Sequence, residues 1–143
     1  MIEKRYLRSI RLLAECMQLF EKHSSKRVRA FGLTSAQFDI IATLGNTPGM
    51  NCKDLGEKTL ITKGTLTGVL DRLEKKNLVL RERGEDRRQF FVKLTVEGEA
   101  CFADIFPQVV AEGRATFTSY APEDFETLDA ELSKLKQTLL EGL

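Results

Sequence analysis

The stretch LDRLEKKNLVLRERGEDRRQFFVKLTVEG, residues 70–98, decides the fold. It opens with Leu70 and Leu73, whose spacing of three is typical of one side of a helix. It then reaches Asn77, a residue that tolerates the left-handed conformation in which helices often end. Two β-rich runs follow, LVLRERG and RRQFFVKLT, around a Gly-Glu-Asp tip. This order predicts a helix followed directly by a β-hairpin with a charged tip.

The residues before this stretch indicate a helix-turn-helix. A short helix is predicted from about Lys53 to Lys58, and Thr62 is a suitable N-cap for the next helix. The apolar stripe of that second helix consists of Leu66, Val69, Leu70 and Leu73. In a helix-turn-helix the second helix enters the major groove of DNA, with its N-terminal residues nearest the bases.

The N-terminal part of this second helix is rich in small, hydroxyl-bearing and cationic side chains. Small residues let the backbone approach DNA closely, and hydroxyl and backbone N–H groups can bind phosphate oxygens. The residues expected to contact DNA are Thr62, Lys63, Gly64, Thr65, Thr67, Gly68 and Arg72.

A winged-helix module that binds protein is an alternative. It would carry an apolar or acidic surface on the second helix, whereas this helix is made basic by Lys63, Arg72, Lys75 and Lys76. Asp71 and Glu74 reduce that charge, and their spacing predicts ion pairs within the helix. DNA binding is therefore favoured.

The hairpin tip supplies a second candidate contact with DNA. Arg87 and Arg88 can reach the phosphate backbone and the minor groove, whose negative potential attracts arginine. Asp86 would repel phosphate, so we expect it to hold one arginine in place as a partner within the chain. One of Phe90 and Phe91 is expected to anchor the hairpin to the core.

Helices are predicted on both sides of this central block. A long first helix ends near Gly32, and a second begins at Thr34 or Ser35. The apolar residues of the first helix recur at three- and four-residue steps: Ile2, Tyr6, Ile10, Leu13, Met17 and Phe20. After Thr95 a further helix is expected, with a kink at Pro107.

The last predicted helix opens at Pro122, since proline suits a first helical turn. Its apolar residues follow the three-four spacing of a helix that packs against another helix: Phe125, Leu128, Leu132, Leu135 and Leu139. Together with the stripe on the first helix, this seam favours a dimer.

These motifs resemble those of the multiple-antibiotic-resistance regulator (MarR) family. The similarity rests on L-x-x-L-E-K-K-x-L-V-x-R, E-D-R-R and L-T-x-x-G, and the order of helices extends it to the whole chain. The resemblance implies a homodimer on a pseudo-palindromic operator, with residues 62–68 in the major groove. It also implies that Arg88 enters the minor groove, oriented by Asp86, while Arg87 lies near the phosphates. Many relatives carry Gly where this chain has Asn77, which can adopt the same turn.

The expected fold is mainly α with a small β-hairpin wing. It forms a single domain over residues 1–143, in which a winged helix-turn-helix lobe spans 33–95 and dimerisation helices occupy 1–31 and 96–143. The expected function is sequence-specific regulation of transcription on double-stranded DNA, with repression favoured because such dimers tend to overlap promoters.

The charge distribution agrees with this organisation. Residues 1–50 carry eight Lys and Arg against four Asp and Glu, and residues 51–94 carry eleven against seven, so each segment has a net charge of +4. Residues 95–143 carry three against ten, a net charge of −7. We expect this acidic region to face away from DNA.

Composition also predicts where the protein acts. Its longest apolar runs fall short of the roughly 18 residues of a membrane span, and the N-terminal segment lacks the features of a signal peptide. A cytoplasmic protein without membrane contact is expected.

A small aromatic or anionic effector is implied by the resemblance. Candidate lining residues are Phe20, Phe31, Phe38, Arg8, Arg11 and His23, and the sequence leaves open whether they form a pocket or pack as core.

Redox sensing through Cys16 is a further alternative, because some relatives carry a reactive cysteine in the first helix. In this chain the corresponding position falls closer to Ile10, and the tyrosines expected beside the thiol are replaced by Ser35 and Ser24. Reduced thiols are the favoured interpretation.

Catalysis, a metal site and a cofactor are not expected. The chain has one histidine, no Gly-rich phosphate loop, and three separate cysteines (Cys16, Cys52 and Cys101) without a C-x-x-C motif.

Overall fold

The computed structural model describes residues 2–59, 61–85 and 90–143. After a 3-10 turn at Ile2–Lys4, the elements in chain order are α1 (Arg5–Arg29), α2 (Ser35–Leu44), β1 (Met50–Asn51), α3 (Cys52–Thr59), α4 (Lys63–Lys75), β2 (Val79–Arg83), β3 (Phe90–Leu94), α5 (Val96–Thr116) and α6 (Pro122–Glu141). The predicted fold class, mainly α with a small β wing, is confirmed. The chain divides into two compact units, Met1–Ala111 and Glu112–Leu143.

The corner between α1 and α2 follows the predicted boundaries. Gly32 has a φ of +75°, and Leu33 N–H donates to the Val28 carbonyl at 3.2 Å, a bond that closes the end of a helix around a left-handed residue. Thr34 then caps α2: its hydroxyl accepts from Gln37 N–H at 3.1 Å, and its own N–H donates to the Gln37 side chain at 3.1 Å. This reciprocal capping box fixes where α2 begins.

Helix α4 also ends at a residue in the left-handed conformation. Asn77 has a φ of +60° and its N–H donates to the Glu74 carbonyl at 2.9 Å, while Leu78 N–H donates to the Leu73 carbonyl at 3.0 Å. The left-handed conformation predicted for Asn77 is therefore present, and it turns the chain from α4 straight into β2.

The sheet has three strands in the order β1-β3-β2, all antiparallel. In the β2–β3 hairpin Val79 pairs with Leu94 and Arg81 pairs with Val92, and on the other edge of β3 Met50 also pairs with Val92. The hairpin was predicted but β1 was not, because two residues are too few to carry an alternating pattern.

Within the first unit, helices α1, α2, α3, α4 and α5 and the sheet share one hydrophobic core. The predicted stripe of α4 is buried in it. The core residues are Val28, Leu33, Ile40, Ile41, Leu44, Met50, Leu55, Leu66, Val69, Leu70, Leu73, Val79, Val92, Leu94, Ile105 and Val109. Of the two wing phenylalanines, Phe91 is half-buried and Phe90 is exposed.

The start of α5 is bonded to the turn that follows α4. The Thr95 hydroxyl accepts from Gly98 N–H at 2.9 Å and donates to the Asn77 carbonyl at 2.7 Å, and Thr95 N–H donates to the Leu78 carbonyl at 3.1 Å. The L-T-x-x-G motif thus ties α5 to the root of the wing.

The second unit contains the last helix. Pro122 is its first residue, as predicted, and the Asp124 carboxylate accepts from Ala121 N–H at 2.8 Å. Phe125 meets Tyr120 edge to face with ring centroids 4.7 Å apart. Among the described residues, no helix is both long and apolar enough to cross a membrane.

Candidate nucleic-acid interface

Helix α4 brings most of the predicted contact residues to one exposed side. Leu66, Val69, Leu70 and Leu73 hold the opposite side in the core. We call the exposed side the outer face of α4, and it carries Lys63, Gly64, Thr65, Thr67, Gly68 and Arg72. Gly68 is half-buried and the other five are exposed.

Two glycines on this outer face have no packing role. A β-carbon on Gly64 or on Gly68 would have no described heavy atom within 4 Å beyond the helix's own turns. Glycine in the interior of a helix lowers its stability by about 1 kcal/mol relative to alanine. The full loss applies to Gly68, which lies further from the helix end than Gly64. Within the described part of the chain, neither glycine makes a packing contact that would offset this loss of helix stability, and both leave backbone uncovered on the outer face.

The N-terminus of α4 leaves backbone donors free of a side-chain cap. Thr62 occupies the N-cap position as predicted, but its hydroxyl donates to the Thr65 hydroxyl at 3.2 Å rather than accepting from a backbone amide. The first N–H groups of a helix lack partners within it, and they carry the positive end of the helix dipole. This end can therefore bind an anion such as phosphate.

The predicted ion pairs within α4 are not the ones that form. Asp71 and Glu74 both bond to Arg81 of β2: Arg81 Nη2 lies 2.5 Å from Asp71 Oδ1, and Arg81 Nε donates to Glu74 Oε1. The prediction of pairing within the helix is wrong because β2 runs beside α4 and brings a guanidinium between two carboxylates one turn apart. Arg81 is the last residue of the L-x-x-L-E-K-K-x-L-V-x-R motif, but spacing along the chain does not predict its partners.

Lys76 is exposed as expected, but its ammonium is bonded within the chain. Its ammonium donates to the Gly32 carbonyl at 2.6 Å and to the Gln37 side chain at 3.3 Å. Lys76 therefore ties the end of α4 to the corner between α1 and α2. Lys63, Arg72 and Lys75 remain exposed on α4.

The tip of the wing, with the predicted contacts Asp86, Arg87 and Arg88, lies outside the described residues. The stem of the wing, formed by β2 and β3, carries charged side chains that contact one another and an aromatic ring. The guanidinium carbons of Arg81 and Arg83 lie 5.9 and 5.7 Å from the centroid of the Phe90 ring.

The candidate effector residues do not gather in one place. Phe38 is half-buried against the core and stacks on Phe106 of α5 at 6.4 Å, and Phe31 also packs against the core. Phe20, Arg8, Arg11 and His23 are exposed. A surface pocket of about 310 Å³ lies instead on α1 itself, and its lining residues all belong to that helix: Glu21, Lys22, Ser25, Lys26 and Arg29.

The three cysteines are free thiols in different surroundings. Cys16 is exposed, whereas burial raises the pKa of Cys52 and of Cys101 and so favours their protonated forms. The redox hypothesis for Cys16 stays a prediction. The described residues contain no group of side chains suited to hold a metal ion.

Comparison with known proteins agrees with this geometry. The MarR family model matches residues 33–90. The homoprotocatechuate degradative operon repressor of Escherichia coli is 31% identical over 102 residues, which cover 71% of this chain and 69% of that repressor.

Solved structures give the same result. AbsC, a MarR family transcriptional regulator from Streptomyces coelicolor, is 33% identical and superposes with a TM-score of 0.82 over 93% of each chain. BpsR of Bordetella bronchiseptica, whose DNA binding is regulated by 6-hydroxynicotinic acid, is 25% identical with a TM-score of 0.80 and covers 90% of this chain and 98% of its own.

Proposed function

Since the chain belongs to the MarR family of DNA-binding transcriptional regulators, we propose that it is a homodimeric repressor that a small aromatic, anionic ligand releases from its operator. The observation that carries the proposal is the outer face of α4. There the sequence combines cations, hydroxyl groups and two glycines that no packing contact requires.

The outer face of α4 provides the reading surface. Gly64 and Gly68 let the helix backbone approach the base edges, and Thr65 and Thr67 supply hydroxyl groups that can bond to bases or phosphates. Lys63, at the uncapped N-terminus, adds a cation where the helix dipole is already positive. Specificity therefore comes from α4.

The wing supplies affinity rather than specificity. In this proposal Arg88 enters the minor groove, Asp86 orients it, and Arg87 binds the phosphate backbone. The resemblance of the D-R-R motif to that of the family supports these roles, as does the exposed Arg83 in the stem of the wing.

A dimer gives the protein two recognition helices. One helix reads only a few base pairs, and two of them about 34–36 Å apart read successive major grooves on one side of the duplex. The apolar sides of α1 and α6 support self-association, because Tyr6, Met17, Leu132 and Leu139 are exposed in the single chain. An inverted-repeat operator follows from the twofold symmetry.

The effector class rests on the relatives. BpsR responds to 6-hydroxynicotinic acid, an aromatic carboxylate, and the Escherichia coli relative is the repressor of an operon for degrading homoprotocatechuate. We propose a ligand of similar size and charge for this chain. Three cationic side chains of α1, Lys22, Lys26 and Arg29, line its surface pocket together with Glu21 and suit a carboxylate.

Fluorescence anisotropy on duplexes that cover the DNA upstream of the protein's own gene tests the proposal. Arg88→Ala is expected to weaken binding to operator and scrambled duplexes alike, since it removes a contact that carries little sequence information. Thr65→Ala and Lys63→Gln are expected to change the preference between related operators. Loss of the same size on every sequence from all three variants would contradict this division of roles.

Two controls accompany this measurement. A salt series separates phosphate contacts from base contacts, because only the phosphate contribution falls steeply with salt. If the folded, dimeric wild type binds no duplex even at low salt, a protein-binding winged-helix module becomes the better account.

A further inference from the structure

Arg81 joins the recognition helix to the wing. It lies in the middle of β2, opposite Val92, and its guanidinium bonds to Asp71 and Glu74 of α4. The side chain of Arg81 is only 21% exposed, whereas those of Asp71 and Glu74 are 52% and 35% exposed, so the arginine lies at the junction of the two elements and its partners border the solvent.

The two carboxylates present a matched target for one guanidinium. Asp71 and Glu74 lie three residues apart and so share one side of α4. A guanidinium has a planar fork of donors and can bond to both at once, whereas an ammonium is a point charge. The contact therefore fixes the rotation of α4 relative to β2 as well as its distance.

The other side of the Arg81 head reaches the base of the wing tip. Its guanidinium carbon lies 5.9 Å from the centre of the Phe90 ring, within the range of a cation–π contact. Phe90 is the first residue of β3, and Arg83, which pairs with it in the sheet, lies over the same ring. The Arg81 side chain thus contacts both α4 and Phe90 at the start of β3.

We propose that Arg81 is a positioning residue for DNA recognition, which sets the wing at a fixed angle to the recognition helix so that both engage one duplex together. This inference rests on the proposed function. Arg81 itself need not contact DNA, because its donors are directed to Asp71 and Glu74.

The simplest competing role is charge. Arg81 also neutralises carboxylates that would otherwise repel phosphate, and its loss removes one positive charge from the DNA-binding lobe. Lys93 offers a matched control: it is a cation of the same hairpin, and its ammonium pairs with Glu82 at 3.0 Å without involving α4. Arg81→Gln and Lys93→Gln therefore remove the same charge but only the first breaks the link to α4.

The binding experiment compares these two variants on the operator over a salt series. We expect Arg81→Gln to bind about tenfold or more weaker than Lys93→Gln, because a broken network of contacts costs more than one charge. Binding should also become less sensitive to salt. We expect the slope of log K against log salt to shrink by more than about 0.9, the share of one phosphate contact, since the whole wing disengages. Equal losses in affinity and slope would overturn the proposal.

A triple variant separates positioning from neutralisation. Asp71→Asn, Glu74→Gln and Arg81→Gln together remove both carboxylates that Arg81 neutralises, and they also remove its link to α4. Recovery of wild-type affinity would show that Arg81 acts through charge alone and would overturn its positioning role. Affinity that stays low, with Arg81→Lys intermediate, is the result expected.

Hydrogen–deuterium exchange without DNA provides a readout that does not depend on the proposed function. Arg81→Gln is expected to speed exchange in β2 and β3 relative to Lys93→Gln, with α2 unchanged. Unchanged exchange would overturn the proposal even if the wild type bound DNA. If the wild type bound no DNA while exchange changed as expected, the proposed function would fail and the mechanical link would stand.

Discussion

Gly98 packs directly on the backbone of Leu78: a β-carbon on residue 98 would lie 2.0 Å from the Leu78 carbonyl oxygen. That carbonyl also accepts a bond from Thr95 N–H. The first turn of α5 therefore rests on the residue that links α4 to the wing, and the L-T-x-x-G motif has a structural explanation independent of DNA.

Replacement of Gly98 should destabilise the fold. In Gly98→Ala the new methyl group would have to displace backbone rather than a flexible side chain, so we expect the free energy of unfolding to fall by about 2 kcal/mol or more. Urea denaturation followed by circular dichroism measures this. Gly64→Ala is the control, since its β-carbon enters open space. Equal stability of the two variants would contradict the packing explanation.

Lys76 should stabilise the corner between α1 and α2. In Lys76→Met the bonds to the Gly32 carbonyl and the Gln37 side chain are lost, and we expect a loss of about 1 kcal/mol in stability. Lys75→Gln removes the same charge one residue earlier and should have little effect on stability. Thermal denaturation of the two variants side by side tests this, and identical melting temperatures would argue against the contact.

Asp39 should make stability depend on pH. Burial, and then the nearby charge of Glu21, raise the pKa of Asp39 above its ordinary value of 3.8. The folded state thus holds this proton more tightly than the unfolded state, so the contribution of Asp39 to stability is lost as pH rises from below 3.8 through the raised pKa.

Asp39→Asn is therefore expected to be more stable than the wild type at neutral pH, with the difference disappearing in acid. Glu21→Gln should give a smaller gain in stability at neutral pH, because it removes the charge of Glu21 but leaves Asp39 buried. Denaturation midpoints measured across the pH range check both variants. A wild type more stable than Asp39→Asn at pH 7 would show that the sign is wrong.

The apolar side of α6 should mediate self-association. Leu132 and Leu139 are 38% and 57% exposed, and among the described residues α6 has no buried side chain. Leu132→Glu should therefore shift the protein toward a monomer, since a buried charge at an interface is costly. Size-exclusion chromatography with light scattering gives the mass. Ser133→Glu adds the same charge beside the apolar side and should stay dimeric; a dimeric Leu132→Glu would contradict the assignment of the interface.

Local rules predicted the helices and their ends well. Thr34, Asn77 and Pro122 each occupy the predicted position because capping and left-handed turns depend on a few neighbouring residues. The apolar stripe of α4 was predicted for the same reason, since its spacing alone places it in the core.

Contacts between distant elements could not be read from spacing. Arg81 reaches Asp71 across a turn, and Lys76 reaches Gly32 across the fold, so both pairings depend on how elements pack. A charged residue in sequence has many candidate partners within a few residues, and only the packed structure selects among them. The sequence places Gly64 and Gly68 on one helix, but only the packed structure shows that neither glycine faces a neighbouring element among the described residues.

The measurement that tests the central claim most directly is made on Gly68→Ala, in which one methyl group is added to the outer face of α4. Its stability and its operator affinity are measured on the same preparation, by denaturation and by fluorescence anisotropy. We predict that the free energy of unfolding rises by up to about 1 kcal/mol while operator binding weakens, because the methyl group favours the helix but obstructs the approach of DNA. Operator binding equal to that of the wild type would contradict the claim that this face of α4 reads DNA.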